Sequence, residues 1–241
     1  MREEKLHANG REHQLKIFYD NRDNTRASIT KNGVTIRIPR SMERVEQHKQ
    51  IMKMKQWAVE KLEQSPELYR RKQRAYSNGE TLRINDEEFL LKIMSSDKAS
   101  SSARLNKNTI WLNISSRLNE KQKDDHISSL VSRCIAGKML PRVREKVMQL
   151  NQKHFNFEVS KVFLKNHKSK WGSCSSKGNI NLSTRLLLAP EDVLEYLIIH
   201  ELAHLKHLNH SRDFWQLVEK AMPDYRDKEK WLKKNGSSLL I

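Results

Sequence analysis

The sequence predicts an α+β fold: a helix carrying metal-ligand residue types beside a small antiparallel sheet, preceded by a smaller strand-rich N-terminal region. Three observations predict it. Short alternating patterns crowd residues 17–115, helical periodicities fill much of 116–241, and the apolar run Val193–Ile199 leads directly into His200-Glu201-Leu202-Ala203-His204. Strands gathered first and helices gathered later argue for α+β rather than a repeating strand–helix alternation. The expected division is a strand-rich α+β region over 1–115 and a metal-binding catalytic domain over 116–241.

Composition bounds the class. The 241 residues are 37% hydrophobic and 31% charged, with only 7 Gly and 5 Pro, as in a helix-leaning globular chain long enough for two modest domains. No apolar run approaches the ~20 residues of a membrane span. The charged start Met1-Arg2-Glu3-Glu4-Lys5 is followed by no apolar stretch, so no secretory signal is read and a cytoplasmic location is expected. Cys134 and Cys174 form no disulfide framework. Cys174 is read as a small packed residue, with a ligand or reactive thiol as the alternative. A net charge of +17 and pI near 9.9 favour anionic partners, namely nonspecific nucleic acid or nucleotides on a basic surface.

Taken in order, the first dozen residues are polar and charged and read as a loose tail. Residues 17–38 read as a hairpin turning at Asn32-Gly33, with Val34-Thr35-Ile36-Arg37-Ile38 alternating and Pro39 closing it. Met42 to Glu63 reads as a helix with Val45, His48, Met52, Val59 and Leu62 near one stripe and Ser65-Pro66 past its end. The cluster Arg70-Arg71-Lys72-Arg74 reads as a solvated face. Strands follow at Thr81–Ile84, Phe89–Met94 and Thr109–Ile114, with the polar stretch 95–102 as a mobile loop. A long helical pattern from Leu118 carries Ile127, Leu130, Val131, Cys134, Ile135 and Met139, and Pro141 is expected to kink or divide it. No internal repeat is evident by eye. Val159–Leu164, Lys170–Ser173 and Asn179–Leu182 read as strands, and Pro190 with Glu191 and Asp192 opens the helix that ends in the histidines.

Two histidines four apart on a helix share one face, about 6 Å apart along the axis, a separation one zinc ion can bridge. Glu201 lies about 100° further round, placed to act as general base on a water without displacing a ligand. A catalytic zinc takes three protein ligands and keeps one position open. His210 is the preferred third ligand, since Asn209 tolerates the left-handed conformation that ends helices. His207 is the rival, although it stands two turns from His200. Beyond His210, Ser211 is expected to cap a helix bearing Phe214, Trp215, Val218 and Met222, and Asp224 to cap a last one ended by Asn235-Gly236. Trp171 reads either as a core anchor, with Gly172 permitting close backbone approach, or as substrate-binding together with Gly172 and Ser173. Tyr225 is a packing residue or an oxyanion donor.

The segments Lys170-Trp171-Gly172-Ser173-Cys174, Gly178-Asn179-Ile180-Asn181-Leu182, Leu186-Leu187-Leu188-Ala189-Pro190, His200 to Leu205, Asn209-His210-Ser211, Phe214-Trp215 and Pro223-Asp224-Tyr225 resemble the YgjP-like metallopeptidase family, related to the SprT-type zincins. The resemblance is dense over the C-terminal third. It implies a zincin-like domain holding one Zn²⁺ through His200, His204 and His210, with Glu201 as base and a peptide or protein substrate. The ligand spacing is also similar to the metzincin pattern, but that pattern has Gly where this chain has His207. Two further activities stay open beside peptide hydrolysis. One is metal-dependent nucleoside triphosphate pyrophosphatase chemistry, although the chain has no Walker-type glycine loop. The other is proteolysis associated with nucleic acid, as the SprT-like kinship suggests.

Overall fold

Alternation decides the first fold element. In β1 (Arg2–Ala8) and β2 (Arg11–Asp20), Leu6, Ala8, Leu15 and Ile17 are buried on one side, and the charged residues between them point to the other. The hairpin turns at Asn9-Gly10, both at positive φ (50° and 67°), as tight two-residue hairpin turns require. The expected loose tail is therefore a strand pair. Its charged composition hid an alternation of only four apolar residues. The structure is a computed structural model that describes residues 1–30, 33–64, 74–167 and 169–241.

β3 (Arg26–Thr30) and β4 (Gly33–Pro39) complete a sheet in the order β1-β2-β4-β3, parallel between β2 and β4 and antiparallel elsewhere. A side chain at Gly33 would put its Cβ 2.2 Å from the Gln14 carbonyl oxygen, so β2 and β4 meet only over a glycine. α1 (Arg44–Gln64) buries Ile51, Ala58 and Leu62 in the core formed with Leu6, Leu15, Ile17, Val34, Ile36 and Ile38. The predicted stripe holds only at its C-terminal end, where Leu62 is buried and Val59 packs on the core; Val45 is 82% and Met52 is 52% exposed. The predicted turn residue Asn32, the stop at Ser65-Pro66 and the basic residues 70–72 lie outside the described residues.

The same architecture then recurs. β5 (Thr81–Ile84), β6 (Glu87–Ser96), β7 (Ser102–Asn106) and β8 (Thr109–Ser115) pair in the order β5-β6-β8-β7, again with a parallel centre. Pairings recur at a step of 76 residues: Leu6 opposite His13 becomes Leu82 opposite Phe89, and Leu15 opposite Val34 becomes Leu91 opposite Ile110. Identities fall on the same step, among them Leu6/Leu82, Asn9/Asn85, Leu15/Leu91, Ile17/Ile93, Ala27/Ala103 and Ile38/Ile114. Asn9 and Asn85 share the left-handed conformation (φ 50° and 52°). The chain thus contains an internal repeat that inspection of the sequence missed, because most exposed positions differ between the copies. β7 occupies part of the segment expected as a mobile loop.

α2 (Glu120–His154) follows the second copy as α1 follows the first, opened by a capping box between Asn119 and Gln122. It runs unbroken through Pro141, since Ile135 and Met139 before the proline and Val143 and Val147 after it are all buried. It packs against β7 and β8, against β9 (Lys161–Lys165), and against the helix α3 (Glu191–Ala203). β10 (Gly172–Cys174) and β11 (Asn179–Ser183) join β9 in the order β10-β11-β9. This sheet is mixed, not antiparallel as expected: β10 reverses the chain and β11 reverses it again, so β11 runs parallel to β9. A 3-10 turn (Thr184–Leu188), α4 (Arg212–Ala221) and α5 (Tyr225–Asn235) complete the unit.

Packing divides the chain into Met1–Arg71 and Lys72–Ile241, a boundary earlier than the expected 115/116. The physical reason is that Leu82, Phe89, Leu91, Ile110 and Leu112 share one core with α2, β9, β11 and α3. No helix among the described residues is long and apolar enough to cross a membrane.

Candidate metal centre

α3 is a core helix, with Val193, Leu194, Tyr196, Leu197, Ile198, Ile199, Glu201, Leu202 and Ala203 all buried. Glu191 and Asp192 occupy its first turn, where negative charge suits the helix dipole. Lys146 of α2 pairs with Glu191 and Glu195 at 3.0 and 2.9 Å, and Lys228 of α5 with Asp192 at 2.6 Å. These pairs link α3 to both neighbours at its solvent-facing start.

The helix stops at Ala203, with His204 as its C-cap. It therefore ends before the expected Asn209, whose backbone is absent from the positive-φ residues described. Hydrogen bonds from Leu205 N, Lys206 N and His207 N to the carbonyls of Leu202, Ala203 and Ala203 turn the chain back instead. The Ser211 hydroxyl accepts from Phe214 N at 3.4 Å and caps α4 as predicted.

This turn brings one ring nitrogen each of His200, His204 and His210 within 4.8 Å of one another. The Nε2 atoms of His200 and His210 are 3.1 Å apart, and two nitrogens on one tetrahedral zinc stand about 3.4 Å apart. His204 Nδ1–H donates to the His207 carbonyl at 2.9 Å, which leaves Nε2 with its lone pair free for a metal. The sequence rival His207 thus contributes its backbone carbonyl rather than its ring. Burial pushes the His200 pKa down to about 3, with the neighbouring His204 and His210 acting in the same direction, and burial also lowers His204. Neutral imidazoles are the form that binds a metal, so the donor set fits a divalent ion.

Glu201 is 4% exposed, and its Oε2 is buried with no hydrogen-bond partner. Burial raises its carboxyl to about 8, opposed by the positive charge of Lys170. Gly172 in β10 explains how Glu201 fits: a Cβ there would lie 2.4 Å from its Oε1. Ser173 accepts a hydrogen bond from Lys170 Nζ at 2.9 Å. Trp171 faces elsewhere, with Arg185 stacked 4.1 Å from its ring and the Cα of Gly236 packed so closely that a Cβ would touch the indole at 2.5 Å. Tyr225 is 5% exposed and stacks on Trp215 and Tyr196. Burial pushes the Cys174 thiol up to about 11, with the Glu201 charge adding to it, and such a thiol is inert near neutral pH.

Sequence reasoning missed the aromatic bed of the site. Phe214, fully buried, lies 4.9, 4.6 and 4.9 Å from the ring centres of His200, His204 and His210. Trp215 stacks on His210 at 5.7 Å, Tyr225 on Trp215 at 5.3 Å and Tyr196 on Tyr225 at 6.4 Å, and Tyr196 meets His200 edge-on at 6.0 Å. The available signal was His210 directly before the Ser211 cap and Trp215 in the first turn and a half beyond it, the spacing at which a residue ahead of a cap packs on the helix it opens.

Three convergent imidazoles form a cluster that could hold a metal ion, and a buried glutamate stands beside the first of them. Residues 23–235 match the YgjP-like, metallopeptidase domain, and the chain belongs to the YgjP-like metallopeptidase family. The UTP pyrophosphatase of Escherichia coli (strain K12) is 38% identical over 58 residues, 24% of this chain and 35% of that protein. The match therefore spans about a third of that relative's length. Among solved structures, the metallopeptidase zymogen of Pyrococcus abyssi abylysin is 30% identical, with a TM-score of 0.35 over 38% of this chain and 93% of that one. The zymogen of Methanocaldococcus jannaschii jannalysin is 22% identical, with a TM-score of 0.34 over 38% and 94%.

Proposed function

We propose that the chain is a zinc-dependent metallopeptidase that holds one Zn²⁺ through His200, His204 and His210 and uses Glu201 as its general base. The observation that carries this reading is the convergence of three ring nitrogens within 4.8 Å next to a buried Glu201 carboxyl whose Oε2 has no hydrogen-bond partner. When bound, zinc supplies Lewis-acid activation of a water and of the scissile carbonyl, and its charge draws Glu201 toward the ionised form. The Glu201 carboxylate takes a proton from the water and delivers it to the leaving amine. Gly172 keeps that carboxylate close to β10, an edge strand of its sheet, where an extended peptide has main-chain groups to pair with.

The test is Glu201→Gln, which keeps the shape and removes the base. Metal analysis is expected to give one zinc per chain in both proteins, while peptide hydrolysis falls by at least ~10²-fold, the lower range for general acid–base catalysis. A Gln variant with wild-type turnover refutes the role of base.

The relative named UTP pyrophosphatase supports a second reading, hydrolysis of nucleoside triphosphates at the same site, since metal-activated water also attacks phosphoryl centres. Casein and nucleoside triphosphates assayed side by side, each with and without DNA, separate peptide, nucleotide and nucleic-acid-associated activity.

A further inference from the structure

The open face of the first sheet carries an arrangement that the fold itself does not require. Arg26 on β3 and Arg37 on β4 stand directly opposite each other, on the side away from the buried Ile36 and Ile38. Like charges directly opposed across two strands destabilise a sheet. Arg22, from the loop before β3, joins them around a hollow of about 420 Å³ lined also by Asp20, Asn21 and Ser28. Among the described residues Asp20 is the one carboxylate paired with any of the three, through Arg37. The Arg22 Nε is buried without a hydrogen-bond partner. Three guanidinium groups against one carboxylate leave the hollow with excess positive charge and unused donors.

The internal repeat supplies a control. At the equivalent register of the second copy, Ser102 stands opposite Asn113, so the same sheet forms without an arginine pair. The strand pairing therefore does not need the arginine pair, although Arg37 also contacts Asp20 and the Phe18 ring. Guanidinium forks, an amide and a hydroxyl around a small hollow are the donors that suit a tetrahedral oxyanion carrying several acceptors.

We propose that this hollow binds phosphate groups, held by Arg22, Arg26 and Arg37 with Asn21 and Ser28 as neutral donors. The source is either a free polyphosphate or nucleotide, or the backbone of a nucleic acid; the chemistry is the same. The site lies within residues 20–37 and is independent of the reading of the metal centre.

The full chain is titrated calorimetrically with tripolyphosphate and, separately, with a mixed-sequence single-stranded oligonucleotide at several salt concentrations. The variants are Arg22→Ala/Arg26→Ala, Arg26→Ala alone, and the charge-matched control Lys98→Ala/Arg104→Ala, in the loop before β7 and on β7. Saturable binding is expected, weakened tenfold or more in the first variant and less in the single one, with the control within twofold of the unaltered protein. Binding of tripolyphosphate with this pattern assigns a free polyphosphate ligand, and binding of the oligonucleotide alone with this pattern assigns a nucleic-acid backbone. Absence of saturable binding to either probe, or an equal loss in the control, overturns the proposal. Melting curves of Arg26→Ala are expected at or above those of the unaltered protein, since the like-charge pair is relieved, so that weaker binding is not misfolding.

Discussion

Glu201 and Gly172 show how one missing side chain makes room for the proposed general base. A carboxyl that is 4% exposed, with one oxygen unpartnered, is costly to bury, and it fits here because β10 carries no side chain at Gly172, where a Cβ would lie 2.4 Å from its Oε1. Gly172→Ala must displace either β10 or the carboxyl. Since a ~1 Å misplacement can cost about 10²-fold in rate, the variant is expected to keep its zinc and lose turnover by about that factor. Metal analysis paired with peptide hydrolysis checks this, and a loss of metal instead of rate would assign Gly172 to folding of the ligand cluster. His200 and His204 were legible in the sequence because their spacing alone puts them on one helix face, with Glu201 about 100° round from it. The role of Gly172 was legible only as one of two alternatives, since the close approach depends on which strand borders the helix.

The elements around the site show where local pattern succeeds and where it fails. Ser211 declared the start of α4 because a cap is a local event, completed three residues on at Phe214. The stop of α3 at Ala203 was not legible, since Leu205 to His207 carry no glycine or proline to mark it, and the turn is held by backbone bonds. Neither was the full buried face of α1, whose exposed Val45 and buried Ala58 are decided by the sheet beneath it. The aromatic chain linking His210 through Trp215 and Tyr225 to Tyr196 and His200 draws on three helices and a loop, and no local pattern reveals it. It has a consequence for metal retention. His210 is the exposed member of the triad and sits outside any helix, so its ring is steadied mainly by Phe214 and Trp215. Trp215→Ala is expected to weaken zinc binding by about 10–100-fold, the range seen when groups that orient metal ligands are removed. Chelator competition measures it, and Trp215→Phe is expected to restore most of the affinity. An Ala variant that binds zinc as tightly as the unaltered chain would leave the stack with no part in holding His210.

At the scale of the whole molecule, the repeat changes which part of the chain serves the metal site. Both copies fold as four strands with a parallel centre and a following helix, but only the second shares its core with α3. The first closes a separate core around Ile51, Ala58 and Leu62. A fragment beginning at Lys72 is therefore expected to melt cooperatively and bind one zinc per chain. A fragment beginning at residue 116, where the sequence placed the boundary, strips Leu82, Phe89, Leu91, Ile110 and Leu112 from the core they share with α2. Each such side chain contributes roughly 1.5–3 kcal/mol by burial, so the five together rival the ~5–15 kcal/mol that stabilises a typical domain. That shorter fragment is expected to aggregate or to melt without a cooperative transition. Calorimetry and metal analysis on the two fragments decide the point. If the one from residue 116 unfolds as sharply and holds zinc as well as the one from Lys72, the second sheet is an accessory to the metal domain and not part of its core.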